Sequence, residues 1–273
     1  MTIFQSILLG IVQGLTEFIP VSSSAHLALV PYFLGWHLQP DLAFVFDVLV
    51  QFATLGAVIV YYAQDLWNLL LSFIELLKTR KLDQNPNLNL LIALVVATLP
   101  IVILGIPMKK YVAESFNNPA FVGGALLMTA MLLFLSEKLT QNFRTHDSVT
   151  RLDALVIGIF QVFAAFPGIS RSGATISGGI LRKVERRAAT RFAFLLSIPA
   201  LAGAGLISLL DLLKLPHLTQ ILPIILPGFM VAFLVGLFSI HWLLKYLQNH
   251  SLKIFAFYCS LAGLFTLGYI LIR

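Results

Sequence analysis

The chain is expected to fold as an all-α polytopic membrane protein, and three observations carry that expectation. Apolar residues fill 59% of its 273 positions and charged residues only 11%, less than half the share a soluble domain uses to clothe its surface. The apolar residues form runs long enough for helices that cross a bilayer core of about 30 Å, which takes roughly 20 residues each. Polar interruptions fall inside two of these runs, at Pro20-Val-Ser-Ser-Ser24 and at Pro167-Gly-Ile-Ser-Arg-Ser-Gly173. Non-helical backbone at that depth is tolerated only where protein or water surrounds it. The single Cys259 excludes a disulfide framework and a cysteine metal site. In so apolar a chain, the net charge of +6 points to membrane orientation and anionic headgroups before nucleic acid.

The elements follow in order. Residues 3–19 are apolar apart from Gln5, Gln13, Thr16 and Glu17, and no basic n-region or cleavage site marks them as a signal peptide. After the serine run, residues 25–36 form a second apolar piece of about 12 residues, or ~18 Å of helix, too short to cross. The spacing therefore predicts a helix–loop–helix that dips into the membrane and returns. Residues 41–62 make a full span carrying Asp47 and Gln51, followed by an amphipathic stretch through Leu77 and a polar loop over 78–87. Spans at 88–108 and 119–135 flank a connection over 109–118, and the polar segment 136–153 is expected to be the longest connection. A second broken segment, 155–166 and 174–181, precedes a basic run over 182–191 and spans at 192–213, 221–244 and 252–272. The expected architecture is one integral membrane domain of two re-entrant segments and about six transmembrane helices.

An offset of 148 residues superposes the two broken segments without a gap. Gly10 falls on Gly158, Gln13 on Gln161, Phe18 on Phe166, Ser22 on Ser170 and Ser24 on Ser172. Three full spans lie between the breaks, so the second copy enters from the opposite face. This predicts an inverted-topology repeat, repeat 1 over about 1–137 and repeat 2 over about 149–273, with a site near the midplane. With the N-terminus outside, thirteen Lys and Arg, among them Arg80, Lys81 and Arg182–Arg191, face the cytoplasm against four outside, Lys109, Lys110, Lys214 and Arg273. The positive-inside rule favours that orientation.

Ionisable residues at membrane depth are functional candidates by default. Gln13 and Glu17 share a helix face, and an isolated buried carboxylate must be protonated, paired or metal-bound. Ser22, Ser23 and Ser24 offer hydroxyls and, at a helix start, N–H groups for an anion, although ordinary N-capping explains them equally well. His26, three residues after Ser23, is alone more often a satisfied core histidine. In the second break Gly168 and Gly173 allow close backbone approach, and Ser170 and Ser172 flank Arg171, whose planar fork suits phosphate or carboxylate. A bare Glu17–Arg171 salt bridge leaves those glycines and serines unexplained; a phosphate-type ligand accounts for them together.

These residues also carry a resemblance. Gln13-Gly-Leu-Thr-Glu17 is similar to the (E/Q)xxxE motif of the bacterial undecaprenyl-diphosphatase family, the bacitracin-resistance membrane phosphatases. Pro20-Val-Ser-Ser-Ser-Ala-His26 resembles its PVSS(S/T)GH segment, with Ala25 in place of the usual Gly. Pro167-Gly-Ile-Ser-Arg-Ser-Gly-Ala-Thr-Ile176 matches its PGxSRSGATI motif, and Phe192–Pro199 resembles the span that follows. The resemblance implies hydrolysis of undecaprenyl diphosphate to the monophosphate and inorganic phosphate, recycling the lipid carrier for peptidoglycan synthesis at the outer face of the bacterial plasma membrane. It implies Glu17, Ser23, His26 and Arg171 as catalytic positions, and dependence on a divalent cation, Mg²⁺ or Ca²⁺; charge balance with the diphosphate places that cation on Glu17. Gln13, Ser22, Ser24, Gly168, Ser170, Ser172, Gly173 and Thr175 are then expected to contact the diphosphate.

The leaving lipid monophosphate has a second pKa near ~6 and hardly needs a general acid, so His26 is expected as base or nucleophile. Ser23, activated by His26 or by Glu17, is the other candidate nucleophile, and the sequence does not choose between them. A secondary transporter or lipid flippase is the rival class, because inverted repeats with broken helices are its signature. An intramembrane serine protease is weaker, since nothing resembles an oxyanion arrangement for a peptide. Besides substrate and bilayer, a homodimer is the partner left open.

Overall fold

The computed structural model describes residues 1–79, 85–116, 118–140, 142–144, 149–212 and 218–272. The helices are α1 (Ile3–Thr16), α2 (Ser23–Phe33), α3 (Pro40–Tyr61), α4 (Ala63–Thr79), α5 (Pro86–Phe116), α6 (Pro119–Leu139), α7 (Arg151–Phe163), α8 (Arg171–Leu181), α9 (Arg186–Leu212), α10 (Leu218–Tyr246) and α11 (Lys253–Ile272). Among the described residues no strand is present. Six helices, α3, α5, α6, α9, α10 and α11, are long and apolar enough to cross a membrane. The chain is an all-α polytopic membrane protein, as its composition predicts. Of the charges counted for orientation, Arg80, Lys81, Lys214 and Arg273 lie outside the described residues, as does the side chain of Lys109.

The helix starts are written locally. Proline opens α3, α5 and α6, where its missing N–H costs nothing. α1 and α7 each begin with a capping box, Thr2 with Gln5 and Thr150 with Asp153, pairs that are 148 residues apart. The N-caps of α2 and α8, Ser22 and Ser170, are also 148 apart, and each side chain accepts from the N–H three residues on. One expectation is corrected by the structure. Residues 109–116, expected in a connection, continue α5, because no proline or glycine interrupts the chain between Met108 and Phe116. The connection from Thr140 to Thr150 is shorter than the polar segment suggests, since α6 runs on to Leu139.

Short helices are held by close backbone packing. A Cβ on Gly10 would lie 2.3 Å from the carbonyl oxygen of Gly228 in α10, and one on Gly158 would lie 2.4 Å from that of Ala97 in α5. The first seam continues one turn on, where a Cβ on Gly14 would lie 2.8 Å from the carbonyl oxygen of Ala232. In lipid this small-residue contact, not a hydrophobic driving force, brings helices together. At about 21 Å and 16 Å for α1 and α2, and much the same for α7 and α8, none of the four reaches across a ~30 Å core. Each pair breaks between its helices, and the two breaks meet.

Candidate active site

Glu17 sits one residue past the end of α1, its side chain only 6% exposed, and is the hub of the contact between the breaks. One carboxylate oxygen, Oε1, pairs with the Arg171 guanidinium. The other, Oε2, accepts from the Ser23 hydroxyl at 2.7 Å and from the Gln13 amide at 3.0 Å. Gln13 is steadied in turn by the Thr54 hydroxyl of α3 at 3.4 Å. Ser23 is the first residue of α2 and Arg171 the first of α8. The carboxylate is thus gripped by the leading residues of two helices, whose N-termini concentrate partial positive charge and unpaired N–H groups. Two such ends converging with a guanidinium make a place for an anion, and α8 lies almost wholly in the interior behind it.

The loop around Arg171 is fixed from a third direction. Gly168 has φ +97, and a Cβ there would fall 2.5 Å from the side chain of Ala125 and 2.7 Å from the carbonyl of Val122, so only glycine fits. The Thr129 hydroxyl of α6 donates to the Gly168 carbonyl at 2.9 Å and accepts from the Ser170 N–H at 3.0 Å. The Gly168 N–H donates to Ser24 Oγ at 3.3 Å, which ties the second break to the first. Ser22 bonds Ser24, and Ser170 bonds Ser172, each pair at 3.2 Å. Of the serine run, Ser22 is an N-cap, as the capping reading expects, and Ser170 caps α8 in the same way.

His26 lies one turn into α2, and its ring hydrogen bonds go to neither Ser23 nor Glu17. Its Nδ1 is 2.8 Å from the Ser22 carbonyl and its Nε2 is 2.6 Å from the Tyr258 hydroxyl on α11. Ala25, in place of the family's Gly, is an ordinary buried helical residue of α2, where alanine is favoured. Thr175 turns its hydroxyl back onto the Arg171 carbonyl at 2.7 Å, and the Gly173 N–H donates to Ser170 Oγ at 3.1 Å; both bonds shape the first turns of α8. Thr54, Thr129 and Tyr258 were not among the sequence candidates. A lone threonine or tyrosine in an apolar span gives no signal until its partner is known.

A family model described as "Bacitracin resistance protein BacA" matches residues 6–265. The chain belongs to this family. Its curated relatives carry the name undecaprenyl-diphosphatase. That from Methanosphaera stadtmanae is 39% identical over 97% of both chains. That from Syntrophotalea carbinolica is 40% identical over 96% of this chain and 97% of its own. That from Corynebacterium glutamicum is 39% identical over 95% and 88%. The matched residues take in both breaks, five of the six long helices whole and α11 as far as residue 265.

Away from the breaks, two ion-pair clusters tie helix ends together. The Asp153 carboxylate, with no exposed side-chain surface, pairs with Arg144 at 2.7 Å and Arg182 at 2.9 Å. Burial alone would raise its pKa, but hydrogen bonds from Thr150, Arg182 and Arg144 outweigh burial and hold the carboxyl below its ordinary value. Glu137 of α6 accepts two bonds from Arg186 and one from the Leu252 N–H, joining α6, α9 and the start of α11. These groups brace the frame and do not touch Glu17.

Proposed function

We infer that the chain is an undecaprenyl-diphosphatase, a membrane phosphatase that hydrolyses undecaprenyl diphosphate to undecaprenyl phosphate and inorganic phosphate. Family membership over residues 6–265 carries the activity, and the Glu17–Arg171 contact between the breaks carries its location. No observation favours a transporter or flippase. Bacitracin resistance and carrier recycling for peptidoglycan synthesis follow from that activity.

In the chemistry we propose, the diphosphate enters between Arg171 and Glu17, and the guanidinium exchanges its carboxylate for phosphate oxygens. Phosphoryl transfer asks mainly for positioning and charge stabilisation, which Arg171 and the two helix N-termini supply. Ser23 Oγ, whose hydrogen bond already points at Glu17 Oε2, is the nucleophile. Its proton passes to that carboxylate as the oxygen attacks the terminal phosphorus. The bond to the bridging oxygen breaks and the lipid monophosphate leaves with the electron pair. Glu17 hands that proton to the departing lipid phosphate and, ionised again, takes one from the water that attacks the phosphoserine; the bond from Ser23 Oγ to phosphorus breaks, Ser23 takes the proton back from Glu17, and inorganic phosphate leaves. The choice of Ser23 over His26 rests on this contact, since both ring nitrogens of His26 are engaged elsewhere.

A divalent cation belongs to the proposal, and the donor set fits one. Among the described residues no cluster of three His, Cys, Asp or Glu side chains exists to cage a metal. Mg²⁺ is commonly held by one or two carboxylates together with substrate phosphates, and Glu17 is the carboxylate present. Bound there, the ion would offset phosphate charge. The orientation we favour has the N-terminus outside in the bacterial plasma membrane, the first break opening outward and the second inward, as halves of an inverted repeat. The capping boxes, N-caps and glycine seams that recur 148 residues apart support it. Every group invoked comes from one chain, so a homodimer would add none.

Phosphate release by purified protein in detergent tests the function. Turnover of undecaprenyl diphosphate is expected with Mg²⁺ or Ca²⁺, to be silenced by EDTA and restored by either ion. Full activity in chelator would remove the metal, and no release with metal present would sink the phosphatase.

A further inference from the structure

Ser22 is one of two non-glycine residues with positive φ among those described, at φ 72 and ψ 97, immediately before Ser23. A residue with a Cβ avoids that region and keeps such a conformation only where its surroundings hold it. The conformation has a use: it turns the chain out of the break so that Ser23 begins α2 with its hydroxyl on Glu17.

Ser22 Oγ accepts from the Ala25 N–H and meets Ser24 Oγ, while its carbonyl meets both the His26 N–H at 3.3 Å and, more closely, the His26 ring. A carbonyl oxygen can only accept, so the contact between Nδ1 and the Ser22 carbonyl places the imidazole hydrogen on Nδ1. In the neutral ring Nε2 is then an acceptor, and the Tyr258 hydroxyl donates to it. The Tyr258 ring lies nearly parallel to the imidazole, at 12° and 5.7 Å between centroids. The Tyr258 side of the break is otherwise held by the Cys259 thiol, 3.8 Å from the Pro20 carbonyl. A chain of contacts runs from α11 through Tyr258, His26 and the Ser22 carbonyl to the backbone that aims Ser23.

We propose that Tyr258 and His26 are positioning residues: Tyr258 fixes the tautomer and plane of His26, and His26 Nδ1–H pins the strained Ser22 peptide that presents Ser23 to Glu17. The inference rests on Ser23 as the nucleophile. It assigns Tyr258 a part in the reaction and makes His26 neither base nor nucleophile.

Asparagine separates these roles, because its amide nitrogen occupies the place of Nδ1 and it has no counterpart of Nε2. Phosphate release from undecaprenyl diphosphate would be measured for H26N, H26Q, H26A, Y258F, H26N/Y258F and S23A, each shown to elute as wild type in detergent. H26N is expected to keep turnover within about tenfold of wild type, with H26Q and H26A well below it. Y258F is expected to lower kcat about three- to tenfold at unchanged KM, and to add nothing in the H26N background. H26N as inactive as H26Q would overturn the role of His26. A Y258F loss of equal size in both backgrounds would overturn that of Tyr258. If H26A fails to fold, H26N against H26Q decides. S23A tests the reading beneath: substantial activity in S23A would remove it and this inference together, whereas an inactive S23A beside an inactive H26N would leave the nucleophile standing and remove only the inference.

Discussion

The two breaks share a backbone plan and differ in what they carry. Each has a capping-box threonine, a helix of 13 or 14 residues, a turn, a serine N-cap and a helix of 11 residues. The first holds Gln13, Glu17, Ser23 and His26; at the matching positions the second holds Gln161, Ala165, Arg171 and Ala174. At these positions one break has a carboxylate without a fixed cation, and the other has the cation without a carboxylate. The conformational demand is also met differently: at its turn the second break uses Gly168 at φ +97, where only glycine fits, whereas the first forces Ser22 to φ 72 and holds it with a side chain. The same backbone plan gives two converging helix starts, and their side chains differ so that the carboxylate comes from one break and the guanidinium from the other.

Three comparisons can break or sharpen that division. The largest effect is expected for S23A against S172A. Loss of the Ser23 hydroxyl should lower kcat by about 10³-fold or more, as for other activated nucleophiles, while S172A in the second break should cost less than about tenfold. Equal losses in steady-state phosphate release would contradict the asymmetry. Next come the paired glutamines. Gln13 bonds Glu17 and Thr54, whereas both amide atoms of Gln161 are buried without a partner among the described residues. Q13L is expected to reduce turnover about tenfold, and Q161L to leave turnover unchanged and raise thermal stability, because an unpaired buried amide is itself destabilising. A Q161L variant that loses activity would give Gln161 a partner in turnover.

The smallest effect separates the opening turns of α1 and α7. Gln5 is neutral, but Asp153 is buried and paired with Arg144 and Arg182, and its carboxyl is held below its ordinary value. The unfolded chain therefore binds the proton more readily. Stability from this group is fully present above the unfolded pKa of about 3.9 and is lost as pH falls through the lower folded value. Thermal unfolding in detergent should show wild type above D153N at neutral pH, the gap closing in acid. A gap that widened in acid would reverse the sign.

Much of this was legible from residues alone. The spans at 41–62, 119–135, 221–244 and 252–272 agree closely with α3, α6, α10 and α11, because hydrocarbon thickness sets both length and composition. The meeting of Glu17 with Arg171 was also within reach, since neither charge is stable alone at that depth. What escaped depends on direction. Thr129 and Thr54 look like ordinary span threonines bonding their own helix until a loop or a glutamine is found beside them. Tyr258 resembles any lipid-facing aromatic. Serine has no local preference for the φ of 72 that Ser22 adopts, so no window of sequence announces it.

Phosphate release by R171A tests most directly the claim that neither break is a site by itself. With the first break intact and the protein folded, the account predicts a fall in kcat/KM of about 10³-fold or more, only partly restored by R171K because lysine lacks the planar fork. Turnover within a few-fold of wild type would mean that the first break works alone, and would contradict it.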